Sequence, residues 1–319
     1  MDVIQPLNQA VLFIIFNRLD TTKQVFETIR NAKPHRLYIA ADGARVSRVG
    51  ENEKVKAVRN YVTNNIDWEC EVKTLFQENN LGCKYAVDGA ITWFFKNEEM
   101  GIILEDDCLP SQSFFWFCNQ LLSKYKHDTR IAAIIGDNFS NKIYSHDSYF
   151  FSRYTHMWGW ATWRRSWMSH KKIMQSFDLI APTIKTLSIN HKYANYRIIH
   201  NAIRANSGEI DTWDLQWILS NYLNNSLAII PQKNLVKNIG YGSGATHTAV
   251  YIKAKIVNNY ELNFPLKHPI IMLPNSEYDN YLFTHVFDWK SFFIKLFEFK
   301  KLPRRIRTKL IAKKLLKTK

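Results

Sequence analysis

Through the first 138 residues, short apolar runs alternate with helical patterns, and this alternation constrains the fold more than any composition value. Apolar runs over 10–16, 37–41, 72–77, 102–104 and 131–135 read as strands. Stretches with helical spacing fall between them at 21–31, 52–64, 84–95 and 113–125. Strand and helix alternating at this pitch predict βαβ units around a mostly parallel sheet, an α/β fold with helices on both faces. No internal repeat or low-complexity linker interrupts the pattern.

Within that frame, Glu105-Asp106-Asp107 directly follows the run Gly101-Ile102-Ile103-Leu104. Open α/β sheets bind ligands at the carboxyl ends of their strands, which is where these acids emerge. Adjacent carboxylates repel one another unless something positive lies between them. A divalent ion shared with a phosphate is a common partner for such oxygens. The triplet therefore points to a metal-bound nucleotide, against the plainer reading that the acids end a strand and face water.

Composition sets outer limits. The chain has 319 residues, 46% hydrophobic and 14% aromatic, enough for one large domain or two modest ones. No apolar run approaches the roughly 18 residues that span a bilayer. The stretch 10–16 lacks a basic leader and runs into Asn17-Arg18, so it reads as a strand and not a signal peptide. Cys70, Cys83, Cys108 and Cys118 form no CxxC pair and no zinc spacing, as expected of reduced thiols in the cytoplasm. The formal charge is +15, but residues 288–319 hold twelve Lys or Arg against Asp288 and Glu298. Apolar residues recur there at helical spacing (Trp289, Phe292, Phe293, Leu296, Phe297, then Ile306, Leu310, Ile311, Leu315), and Pro303 divides the stretch. Such a basic amphipathic tail predicts peripheral attachment to an anionic surface, the inner face of the cytoplasmic membrane. Packing of its aromatic half on the body is the other reading.

The middle of the chain has a different character. His156-Met157-Trp158-Gly159-Trp160-Ala161-Thr162-Trp163, with Trp167 after it, reads either as core or as a wall on which a flat ligand face stacks. Asp211 and Asp214 flank Thr212-Trp213 ahead of an apolar helix. Both suit a helix start, as N-cap and first-turn acid, and both are candidate bases. Asn238 to His247 is a glycine-rich loop whose spacing is neither a P-loop nor a dinucleotide fingerprint.

Taken in order, several segments resemble the GT-A-fold nucleotide-sugar glycosyltransferases, in particular the N-acetylglucosaminyltransferase I type and its bacterial relatives. They are Val11-Leu12-Phe13-Ile14 with Asn17-Arg18, Ala40-Ala41-Asp42-Gly43, Asn79-Asn80-Leu81-Gly82, Leu104-Glu105-Asp106-Asp107 before Pro110, Gly159-Trp160, Trp213-Asp214, and the loop to His247. The resemblance covers roughly residues 8–250. It implies a Rossmann-like, mixed but mostly parallel sheet over 1–287, with a nucleotide-binding half (1–138) and an acceptor and catalytic half (139–287). It implies that Asp107 holds Mn²⁺ or Mg²⁺, with His247 completing the metal shell or bonding a phosphate. Arg18, Asp42, Lys84, Glu105 and Asp106 fall to the donor, Asp42 on the base and Asp106 near the ribose or sugar. Asp214 is the implied general base. The family's second consecutive acid is Leu215 here, which keeps Asp211 in contention.

The expected activity is a metal-dependent inverting transfer from a nucleotide-diphosphate-sugar, a UDP-sugar by preference, to a hydroxyl of a glycan or lipid-linked glycan in bacterial surface polysaccharide synthesis, lipopolysaccharide included. A sugar-phosphate nucleotidyltransferase would share acids, metal and sheet. It would carry a basic glycine-rich signature after the first strand, where this chain has Asn17-Arg18-Leu19-Asp20. A non-catalytic basic binding module is the third class. Outside the tail, however, the chain shows no nucleic-acid signature, and no nucleic-acid partner is expected.

Overall fold

β1 (Ala10–Ile15) runs through the centre of the molecule, and its alternating side chains divide the core into two. Val11, Phe13 and Ile15 face one helical layer, while Ala10 and Leu12 face the other. α1 (Leu19–Ala32) and α2 (Glu51–Asn64) cover the first face together with α4 (Gln112–Lys124). α3 (Gly82–Asn97), α5 (Arg164–Gln175) and α6 (Asp214–Leu223) cover the second. This computed structural model describes residues 7–140, 142–177, 179, 201–202, 204–240 and 258–286. His247 and the basic tail lie outside the described residues.

The main sheet adds β2 (Arg36–Ala41), β3 (Glu71–Phe76), β4 (Met100–Glu105), β6 (Ile131–Ile135), β7 (Tyr149–Ser152), β8 (Trp160–Trp163) and β9 (Leu227–Pro231). Its order is β3-β2-β1-β4-β8-β6-β9-β7. All but β8 and β7 point the same way, which makes it the mixed, mostly parallel α/β sheet expected. β8 comes from the second half of the chain yet lies between β4 and β6 of the first, so the two expected halves share one sheet. A separate two-stranded ladder joins β5 (Cys108–Pro110) to β10 (Val236–Asn238). α7 (Ser276–Tyr281) runs into a single π-helical turn, Leu282–Val286, at the end of the described part of the chain. No described helix is long and apolar enough to cross a membrane, and the four cysteines are unpaired.

The tryptophan segment departs from the expected stacking wall. Trp160, Trp163 and Trp167 are buried to within 2% exposure. Trp160 stacks on Trp213 at 5.7 Å and 20°, and Trp163 Nε1 donates to Leu122 O at 3.0 Å. Trp160 and Trp163 on β8 and Trp167 on α5 are sealed between sheet and helices as core, and each deletion to alanine costs about 3–5 kcal/mol. Of Trp158, Trp160, Trp163 and Trp167, Trp158 alone lines the cavity described below.

The same layer sets a pH dependence. His170 on α5 is enclosed by Trp167 and Trp217, with Nδ1 2.8 Å from Ser220 Oγ. Burial, with a smaller push from Lys171, lowers its pKa to about 3. An unfolded histidine takes up its proton near pH 6.5, while the folded one stays neutral. The stability held above pH 6.5 is therefore lost as pH falls, by about 1.4 kcal/mol for each unit below it. In urea unfolding at pH 7.5, 6, 5 and 4, His170→Asn should show a slope shallower by one proton. An unchanged slope would contradict the burial.

Candidate active site

β1, β2, β4 and β6 all end at one edge of the sheet, above a cavity of about 880 Å³. That size suits a small ligand or cofactor. β4 delivers the acids: Glu105 is its last residue, and Asp106 and Asp107 turn into β5. Asp106 is 3% exposed; its Oδ2 accepts from Phe16 N at 3.2 Å, and its Oδ1 pairs with the Arg18 guanidinium. Arg18 also reaches Asp107, with Nη1 3.0 Å from Oδ2. One cation thus bridges two of the three acids, from the residue just before α1.

The negative charge still exceeds the positive. Burial, then Asp107, Asp106 and Asp214, pushes Glu105 up to about 8, with Arg18 pulling the other way. Burial raises Asp106 to about 6 against the attraction of Arg18. Carboxyls this reluctant to ionise mark a site short of a cation. Among the described residues, no group of three or more His, Cys, Asp or Glu is arranged to hold a metal alone. The donors fit instead a hard divalent cation held by one or two carboxylates and completed by phosphate and water. Asp107 faces the cavity and is the carboxylate placed for that.

The small ladder covers this position. Pairing of β10 with β5 brings Ile239 N to 2.8 Å from Asp107 O. A Cβ at Gly240 would sit 2.2 Å from Asp107 Oδ2 and 2.9 Å from Arg18 Nη1, so a larger residue there would displace the acid and its partner.

Other expected site residues separate. The oxygens of Asp42 accept from Gly43 N, Leu81 N and Gly82 N and from Asn80 Nδ2, at 2.8–3.1 Å. These four bonds tie the carboxylate to the turn into α3, and Asp42 also lines the cavity. Burial nonetheless raises its pKa, opposed by those backbone donors. Lys84 Nζ donates to Ala205 O at 2.8 Å, and Lys84 is not among the residues that line the cavity. Its backbone N–H, with that of Cys83, instead donates to Asp211 at 2.9 and 3.1 Å. Asp211 thus caps α3 rather than its own helix. Asp214, the first residue of α6, accepts from Thr212 Oγ1 and lines the cavity across from Glu105.

Two groups escaped the sequence reading. At the β1–β2 end, Glu51 accepts from Asn17 Nδ2 at 2.9 Å, and its pKa is held down to about 2 chiefly by the Arg45 guanidinium. At the other end, Asp137 follows β6 and pairs with His156, Oδ2 to Nδ1 at 2.9 Å, both 5% exposed or less. Asp137 occupies the same place after a buried strand as the acidic triplet, a signal that was present but unread.

No protein-family model and no curated protein matches the chain. Among solved structures it is similar to the galactosyltransferase LgtC in complex with donor and acceptor sugar analogs, at 11% identity over 77% of this chain and 94% of that one, TM-score 0.35. It is also similar to UDP-glucose pyrophosphorylase complexed with UDP-glucose, at 10% over 52% and 80%, TM-score 0.30. The glycosyltransferase GlyE of Streptococcus pneumoniae matches at 9% over 60% and 44%, TM-score 0.30. These likenesses are distant and partial, and no residue's role is carried over from them.

Proposed function

We propose that the chain is a metal-dependent, inverting glycosyltransferase that moves a sugar from a nucleotide-diphosphate-sugar, with UDP-sugars the first candidates, to a hydroxyl of a glycan. The observation that carries this reading is the cluster of Glu105, Asp106, Asp107 and Asp214 in one cavity, bridged only in part by Arg18. A buried cluster so rich in acids and short of cations suits a metal-bound diphosphate.

The roles follow from position. Asp107 would hold Mn²⁺ or Mg²⁺, which when bound neutralises the leaving diphosphate. Asp106, locked by Phe16 N and Arg18, holds the guanidinium toward the phosphates. The base and ribose lie toward the carboxyl ends of β1 and β2, where Asp42 shapes the turn into α3. Asp214, oriented by Thr212, takes the proton of the acceptor hydroxyl. That oxygen forms a bond to the anomeric carbon on the face opposite the diphosphate. The carbon–oxygen bond to the diphosphate breaks, its electron pair leaves with the nucleoside diphosphate, and the configuration inverts. Asp211, its oxygens engaged by α3, positions the site without touching the reacting atoms.

The acceptor is proposed to be a lipid-linked glycan of a bacterial surface polysaccharide, met at an anionic membrane through residues 288–319. That part of the proposal rests on their sequence pattern alone.

Incubation of the intact protein with Mn²⁺ and a panel of UDP-, GDP- and CDP-sugars tests the activity. Release of nucleoside diphosphate, abolished by chelator, is expected with at least one donor. Formation of a sugar phosphate and nucleoside triphosphate from a nucleotide-sugar and pyrophosphate would assign a nucleotidyltransferase instead.

A further inference from the structure

The Asp137–His156 pair has no task in the scheme above, and its unmet hydrogen-bonding capacity faces the same cavity. His156 is 5% exposed and Thr155 2% exposed, and both line the cavity wall. His156 Nε2 and Thr155 Oγ1 have no hydrogen-bond partner among the described residues. Buried polar atoms are rarely left unmatched, and each such orphan is costly. A carboxylate can only accept, so Asp137 orients the ring with a proton on Nδ1, and the tautomer carrying only that proton presents Nε2 as an acceptor. Thr155 Oγ1 can donate. An acceptor and a donor on consecutive residues of one cavity wall suit a hydroxyl, whose hydrogen goes to Nε2 while its oxygen accepts from threonine.

Strand register places that group. Trp160 of β8 pairs with Ile103 of β4 on one side and with Ile135 of β6 on the other. Glu105 and Asp137 both stand two residues beyond those partners, so they leave the sheet in the same row. β8 runs against its neighbours, and the residues just before it, His156 among them, pass the same edge. Two strand spacings, roughly 10 Å, separate the acids from Asp137. A nucleotide-sugar laid from β2 across β1 and β4 reaches this point with its sugar. Phe139, with its ring 4.7 Å from His156 and 4.9 Å from Trp158, supplies an apolar flank for the C–H face of a pyranose.

We propose that His156, oriented by Asp137 and assisted by Thr155, binds a hydroxyl of the transferred sugar and so selects the donor. The inference rests on the cavity being a nucleotide-sugar site.

The test separates sugar from nucleotide. Calorimetry with Mn²⁺ measures UDP, UDP-glucose, UDP-galactose, UDP-N-acetylglucosamine and singly deoxygenated analogues of whichever sugar nucleotide binds best. His156→Phe and Thr155→Val keep the volume of the wall. In both, affinity for UDP should stay within about twofold of wild type. Affinity for the preferred UDP-sugar should fall by about tenfold to a hundredfold, and preference over one deoxy analogue should collapse. In wild type, the ¹⁵N resonance of His156 Nε2 should move on addition of the UDP-sugar but not of UDP, a readout that needs no variant. Unchanged UDP-sugar affinity in the variants, or an imidazole signal indifferent to the sugar, overturns this inference alone and leaves a structural water as the partner. A wild-type protein that binds neither UDP nor any UDP-sugar overturns the reading of the cavity, and this inference with it.

Discussion

Asp107→Ala abolishes sugar transfer and the Mn²⁺-dependent part of nucleotide binding, and leaves the fold intact. The side chain of Asp107 is 14% exposed and lines the cavity, and it pairs with Arg18. The contact that ties it to the loop, Ile239 N to Asp107 O, is made by the backbone and survives the substitution. Loss of the carboxylate removes the placed anchor for a cation, so diphosphate departure loses its charge neutralisation. Turnover measured with excess donor and Mn²⁺, beside a thermal melt, checks both halves of the expectation. Wild-type turnover in the variant, or in the wild-type protein under excess chelator, would defeat the metal assignment. Asp106→Ala should behave differently. Its buried carboxylate accepts from Phe16 N and pairs with Arg18; losing it leaves Phe16 N without that acceptor, at about 1–3 kcal/mol, and leaves Arg18 to Asp107 alone. A fall in melting temperature should therefore accompany its loss of activity.

Asp214→Asn lowers kcat by about 10²-fold or more with little change in donor affinity, the scale expected when a general base is lost. Asparagine keeps the shape and can still take the Thr212 hydrogen bond, so the first turn of α6 should hold. Asp211→Asn should show the opposite split. Its amide cannot accept at both positions from Cys83 N and Lys84 N, so stability falls and turnover falls less. Initial rates and melts of the two variants side by side decide which acid takes the proton. If the loss of kcat by about 10²-fold or more falls on Asp211→Asn instead, the assignment is reversed. Proton NMR of the fresh product should show an inverted anomeric centre, and retention would refute single displacement.

The first five strands of the parallel core and the helices between them were legible from local pattern. The run 102–104 became Met100–Glu105, and 131–135 became Ile131–Ile135 without change. The placement of the triplet at a strand's carboxyl end followed from the same period. β8 was not legible. Four residues, Trp-Ala-Thr-Trp, buried on both faces carry no alternation to distinguish a strand from a ligand wall. Asp211 was misread for a related reason: capping was tested only against its own helix, while its partners are the N–H groups of α3, 128 residues away.

The chain by itself determined that strands alternate with helices and that Glu105, Asp106 and Asp107 emerge where a sheet presents its ligands. Backbone geometry sets those periods within a few residues, so they are written locally. Only the tertiary structure decided that β8 enters between β4 and β6 and places His156 against Asp137 at the row of Glu105. Likewise, it decided that Gly240 closes on Asp107, that Arg18 bridges two acids, and that Lys84 turns away to Ala205. Those outcomes depend on which distant strands pair and in what register, and register is settled by the packing of both faces of the sheet at once.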